Sequence, residues 1–166
     1  NYTVTDKADG DRCLLFINDD GKMYMINSNM DVIFTGSKTT SKELFNSLLD
    51  GEHIIFDKNK KFINLYAAFD IYYKNKESLR EHKFYKSQGD EELKETPIYR
   101  LDKLSSFIEN LKPVNVVNAD DSCEFQIVCK TFKNGIDNGI FIACNEILTN
   151  INDDTYNYNT DGLIFT

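Results

Sequence analysis

The string Lys7-Ala8-Asp9-Gly10-Asp11-Arg12 sets an amine, two carboxylates, a glycine and a guanidinium side by side. A pattern K-x-D-G-x-R arises by chance on the order of once in five hundred chains of this length, taking each residue at ~6% usage. The chemistry such a set of groups allows is nucleophilic attack by a lysine amine. An amine must be neutral to attack, yet a lysine of pKa ~10.4 is neutral only about four times in ten thousand at pH 7. Burial or nearby positive charge must therefore lower that pKa by a few units. Arg12 and a bound divalent cation are the candidate sources of that charge. Asp9 pulls the other way, so its expected role is local backbone and hydrogen-bond geometry. Gly10 lets the backbone turn close to a phosphate with no side chain intervening.

Three further strings follow in order: Asp50-Gly51-Glu52, Phe69-Asp70-Ile71-Tyr72, and Thr160-Asp161-Gly162-Leu163-Ile164-Phe165. Glu52 is a candidate acceptor for a ribose hydroxyl, or for a water-mediated contact to metal. His53 beside it reads as a strand residue rather than a catalyst. Asp161 offers the hard oxygen donor that magnesium prefers. The acidic stretches Asp90-Glu91-Glu92 and Asp153-Asp154 read as solvated surface.

This ordered series resembles the covalent nucleotidyltransferases, which comprise the mRNA capping guanylyltransferases and the ATP-dependent DNA and RNA ligases. The closing TDGLIF is similar to the capping branch, since ligases generally carry Glu-Gly there. The opening TDKADGDR is most similar to multifunctional capping enzymes of large DNA viruses. The resemblance implies a partial nucleotidyltransferase (ATP-grasp-like) catalytic domain over residues 1–166. It implies that Lys7 attacks the α-phosphate of GTP, and that GMP then passes from the lysine to the 5′-diphosphate end of RNA. It assigns nucleotide binding to Asp9, Gly10, Arg12, Glu52, Phe69 and Lys130, with Phe69 against the purine, and places Mg2+ or Mn2+ at Asp161. It also implies an oligonucleotide-binding-fold (OB-fold) domain and a second lysine motif beyond residue 166, with triphosphatase and methyltransferase domains in enzymes of the viral type. A cytoplasmic setting, a viral factory or a virion, goes with that type. The alternatives are the adenylation domain of an ATP-dependent ligase and a non-catalytic nucleotide-binding domain.

The elements that must position these residues follow from pattern. Hydrophobic residues at 41% and charged residues at 28% describe a folded chain rather than a disordered one. No apolar run approaches the ~20 residues of a membrane span. The net charge of -8 argues against a broad, sequence-independent grip on nucleic acid, while leaving room for an enzyme that handles only its end. Four scattered cysteines without a C-x-x-C pair read as buried reduced thiols rather than a zinc site.

Residues 2–5, 13–17, 23–26 and 32–34 read as strands, with turns at Asn18-Asp19-Asp20-Gly21 and Asn27-Ser28-Asn29. Leu44, Phe45, Leu48 and Leu49 have helical spacing behind a Thr40–Glu43 capping box, with Asp50-Gly51 as the stop. Strands follow at 54–56 and 62–73 across a polar hairpin at 57–61. Residues 74–96 read as a solvated excursion with one short helix. Leu101, Leu104, Ile108 and Leu111 predict a helix ended by Pro113. A strand is predicted over 124–131, a helix over 139–151 and a last strand over 163–165. Strands and helices without regular β-α-β alternation give an α+β class, antiparallel sheets flanked by helices.

Overall fold

The computed structural model describes residues 2–90, 95, 97–121, 123–136 and 139–166. The turn at 18–21 joins β2 (Asp11–Ile17) to β3 (Lys22–Asn27), and the turn at 27–31 joins β3 to β4 (Val32–Lys38). On the other side of β2 lies β5 (Ser47–Phe56), followed by β6 (Phe62–Lys74). Short strands β7 (Glu77–Ser78), β8 (Val114–Asn115) and β9 (Gln126–Cys129) complete a large sheet, ordered β7-β6-β5-β2-β3-β4-β8 with β9 also on β6. The β6–β9 pair is parallel, and the other strand pairs described here are antiparallel. A second sheet holds β1 (Thr3–Ala8) between β10 (Lys133–Asn134) and β11 (Thr160–Phe165).

Helix α1 (Arg100–Leu111) buries Leu101, Leu104, Phe107 and Leu111 against the large sheet. It ends with Lys112 in the left-handed conformation, ahead of Pro113. Helix α2 (Ile140–Asn152) covers the small sheet, packing Ala143 and Ile147 on Val4. Ala8, Ile54, Leu65, Ala67 and Tyr158 form a separate cluster that joins the two sheets. None of the described helices is long and apolar enough to cross a membrane.

The helix anticipated around Leu44 to Leu49 does not form. Lys42–Leu44 is a single 3-10 turn without a side-chain cap, Asn46 turns left-handed at φ 50°, and Leu48 and Leu49 already lie in β5. The physical reason is burial on both faces. In β5, Leu49, Asp50 and Gly51 are buried in succession, so this stretch lacks the two-residue alternation that marks a half-buried strand. Asp50-Gly51 is therefore mid-strand, not a helix stop.

The excursion also differs from expectation. Residues 74–89 hold β7 and turns; much of the remaining stretch expected to carry a short helix, Glu91 and Glu92 included, lies outside the described residues. Asp90 is buried, not solvated: it accepts hydrogen bonds from Lys83, the Ser87 amide and the Tyr99 hydroxyl. Those donors hold its carboxyl well below the usual range. Asp153 and Asp154 are exposed as expected. All four cysteines are free, but only Cys13 is buried; the other three are part-exposed.

Candidate active site

Lys7 is held by a bulge. β1 pairs with β11 so that Asp6 faces Leu163 and Ala8 faces Thr160, which leaves Asp161 and Gly162 together opposite Lys7. Gly162 takes φ 142°, a region that disfavours any side chain. The bulge sets Asp161 beside the lysine, whose Nζ donates to Asp161 Oδ2 at 2.8 Å. Both side chains are about half exposed, at 51% and 57%. This contact raises the Lys7 pKa above its ordinary value, helped by the charges of Glu52 and Asp9. The resting amine is an ammonium, the reverse of the lowering that attack requires. Arg12 supplies no relief, because its guanidinium is bound to Asp50.

Arg12, Glu52, Phe69 and Lys130 line one cavity of about 350 Å³, with Phe132 and Ile164 on its other side. They arrive from β2, β5, β6 and the residue after β9, so the cavity lies between the two sheets. The Arg12 Cζ sits 5.8 Å from the Phe69 ring centroid. Lys130, predicted within a strand, follows β9 and is fully buried, with its amide bonded to the Ala68 carbonyl. Its Nζ donates to the Asp6 carbonyl at 2.6 Å and lies 3.4 Å from Asp6 Oδ2 and 4.0 Å from Glu52 Oε2. Glu52 Oε2 is buried with no hydrogen-bond partner. Burial pushes the Glu52 carboxyl upward, against the pull of Lys130. An orphaned acceptor at a cavity wall is a position for a ligand's donor.

The chain matches the family model described as mRNA capping enzyme, catalytic domain, over residues 1–166. It belongs to that family. No curated protein matches it. The capping-enzyme domain is thus a nucleotidyltransferase, an mRNA guanylyltransferase with GTP as substrate, and the ligase alternative falls away.

In this capping-enzyme domain, two of the residues read from the motif lie elsewhere. Asp9 and Gly10 line a different cavity of about 540 Å³, with Asp11, His53, Phe56 and Lys60. The missing side chain of Gly10 makes room for the protein's own backbone. A Cβ there would stand 2.9 Å from the His53 carbonyl oxygen, so glycine lets the β1–β2 turn pass close to β5. His53 is a strand residue, its Nε2 bonded to Asn64 Oδ1 at 2.8 Å. Thr5, Lys7 and Asp9 fall in sequence along one strand and the turn after it. They mark the smaller cavity, the lysine and the larger cavity at intervals of about 7 Å.

Sequence reasoning missed the groups that hold these residues in place. Asp50, its side chain 1% exposed, accepts from Arg12 Nη2 and from the Tyr72 hydroxyl, each at 2.6 Å. That bond and burial push the Tyr72 phenol up to about 12. Asp70 accepts two bonds from Arg100, at 2.8 and 2.9 Å. Asp6, wholly buried, also accepts from Thr5 and Tyr158. The available signal was position: Asp50 and Asp70 stand inside two of the motif strings, and Asp6 directly precedes the lysine.

A divalent cation fits the carboxylates present. Asp161 is accessible and Glu52 Oε2 is unpartnered, while no three acidic, histidine or cysteine side chains converge among the described residues. Magnesium keeps several waters and takes one or two carboxylates plus substrate phosphates, which matches so sparse a donor set.

Proposed function

We propose that Lys7 carries the guanylyl group. Its Nζ bonds to the α-phosphorus of GTP as the bond from that phosphorus to the β-phosphate oxygen breaks and pyrophosphate leaves. A terminal oxygen of the RNA 5′-diphosphate then attacks the same phosphorus, the P–N bond breaks, and the amine is restored. The observation that supports this reading is the 2.8 Å contact of Lys7 with Asp161, on the strand whose Thr5 lines the cavity shared by Arg12, Glu52, Phe69 and Lys130. Half exposure of Lys7 allows its proton to leave to water. Glu52 Oε2 accepts from a ribose hydroxyl, Phe69 faces the purine, and Arg12 and Lys130 contact the nucleotide from the cavity wall while held by Asp50 and Asp6. Asp161 would hold Mg2+ or Mn2+, which neutralises phosphate charge when bound. Transfer of this kind depends mainly on positioning and charge.

The wording of TDKADGDR supports a viral, multifunctional type. On that reading the same polypeptide carries an OB-fold domain, a triphosphatase and a methyltransferase, and acts in the cytoplasm, in a viral factory or in the virion.

The test is covalent labelling. Full-length protein with labelled GTP and magnesium should yield an adduct stable in alkali and broken in acid, mapping to the peptide of Lys7. Lys7→Ala should abolish it. Label that persists in Lys7→Ala, or that maps elsewhere, overturns the assignment.

A further inference from the structure

The hairpin joining β5 to β6 differs from the rest of this acidic surface. Residues 57–61 read Asp-Lys-Asn-Lys-Lys, three cations around a single carboxylate in a chain of net charge -8. Asp57 is occupied in shaping the turn: its Oδ1 accepts from the amides of Asn59 and Lys61, each at 2.8 Å. Lys58 is paired with Asp154, whereas Lys60 and Lys61 are exposed at the tip. At the neck of the hairpin, Phe56 and Phe62 face each other across the strands, edge to face, with ring centroids 6.4 Å apart. They remain 55% and 53% exposed. Two open aromatic rings beside two open lysines match what single-stranded nucleic acid requires, stacking surfaces for bases and cations for phosphates.

The hairpin's place in the fold gives this surface a role. Phe56 and Lys60 line the 540 Å³ cavity whose opposite wall is Asp9 and Gly10, just past Lys7. Guanosine, in the smaller cavity, would occupy the Thr5 side of the lysine. The Asp9 side is then open for an incoming acceptor. Asp9, Asp11 and Asp57 make the lining of this cavity acidic, which drives phosphates outward to Lys60 and Lys61 at the hairpin tip.

We propose that the β5–β6 hairpin binds the 5′-terminal nucleotides of the acceptor RNA, with bases on Phe56 and Phe62 and phosphates at Lys60 and Lys61. The inference rests on the reading of Lys7 as the guanylylated residue. The test uses full-length protein and a 3′-labelled, 5′-diphosphate RNA of about ten nucleotides, within the usual span of one such site. Three quantities are measured: RNA affinity by anisotropy against salt, lysine–GMP formation from GTP alone, and GMP transfer to the RNA. Phe56→Leu/Phe62→Leu keeps apolar bulk and removes the rings, and Lys60→Gln/Lys61→Gln removes the charges. Each double variant should weaken RNA binding and raise the KM for transfer on the order of tenfold, with GTP-only adduct formation unchanged. The lysine variant should also flatten the salt dependence by about 1.4 in log–log slope. RNA affinity equal to wild type in both variants overturns the proposal. So does an equal loss of adduct formation and thermal midpoint, which would make the hairpin a folding element. A changed oligomeric state with unchanged RNA affinity would assign the rings to a protein partner instead. Absence of any adduct in the wild type, with hairpin-dependent RNA binding intact, would sink the Lys7 reading and leave this one standing.

Discussion

Lys7 Nζ and Asp161 Oδ2 stand 2.8 Å apart although 154 residues separate them in sequence. The bulge that brings them together places the carboxylate where it stabilises the ammonium, so the free protein stores its proposed nucleophile in an unreactive form. Guarding the amine and preparing it for attack are opposite demands, and Asp161 serves the first in the resting state.

That guarding can be measured without nucleotide or metal. Acylation of Lys7 by an amine reagent, followed by peptide mapping, should be slow at pH 8 and climb with pH beyond the ordinary lysine range, because the raised pKa keeps the neutral fraction small. Asp161→Asn should make Lys7 react several-fold faster at the same pH. Equal rates in the two proteins would show that the contact does not persist in solution.

Asp161→Asn should act on chemistry and not on folding. An ion pair this exposed is screened by solvent and stabilises little, so the thermal midpoint should hardly move. Adduct formation with GTP and magnesium should fall roughly 100- to 1000-fold, the usual effect of losing one preorganised electrostatic group. A large drop in midpoint with labelling preserved would contradict this assignment.

Glu52 offers a pH-dependent contrast. Burial raises its carboxyl pKa, so the folded state holds this proton to higher pH than the unfolded chain does. Its stabilising share is complete below the unfolded carboxyl value, ~4.3, and disappears as pH rises through the folded value. At neutral pH the buried carboxylate is a net liability that function retains. Glu52→Gln should raise the thermal midpoint at pH 7, by roughly 2–4 °C if the gain is about 1 kcal/mol, with the difference closing near pH 4. A lowered midpoint at pH 7 would mean that attraction to Lys130 outweighs burial.

Gly51→Ala should be destabilising by about 1–3 kcal/mol in denaturant titration, as overpacking a filled site usually is. A Cβ there would lie 2.6 Å from Tyr66 Cζ and 2.8 Å from the Ala67 carbonyl oxygen. The Tyr66 ring passes beneath Gly51 to donate its hydroxyl to the Cys13 carbonyl at 2.9 Å. Unchanged stability would show that the ring can shift aside.

The hairpins were legible because their turns use residues that hydrogen-bond their own backbone: Asn18 Oδ1 accepts from the Asp20 and Lys22 amides, and Asn27 does the same for Asn29 and Asp31. Helix α1 was legible because one face is buried and the other wet. β5 was not, since a strand covered on both faces carries no alternation to read. Within the site, the motif strings named Lys7, Arg12, Glu52 and Asp161 by type and order. They could not reveal that Arg12 is committed to Asp50, or that Asp9 and Gly10 line a different cavity from Arg12 and Glu52. Those are facts about register and strand packing, which single residues do not encode. The buried Asp6 was half-visible, because neighbours along a strand point to opposite sides and an exposed Lys7 implies an enclosed Asp6. Tyr158, which completes its hydrogen bonds, gave no such sign.

The strand bearing Lys7 depends on contacts with residues far along the sequence: Thr5 with Thr131, Asp6 with Lys130, and Lys7 with Asp161. Contacts of such separation form slowly, since a long loop must close before they give any return. At a synthesis rate of about 5–20 residues per second, roughly 8–30 s pass between the emergence of Lys7 and that of Asp161. The meander of β2, β3, β4, β5 and β6 can pair during that interval, while β1 waits without either of its flanking strands. The lysine thus reaches its final setting after the meander has paired. A ribosome-bound chain arrested before β11 should hold a paired meander but no formed centre for guanylylation.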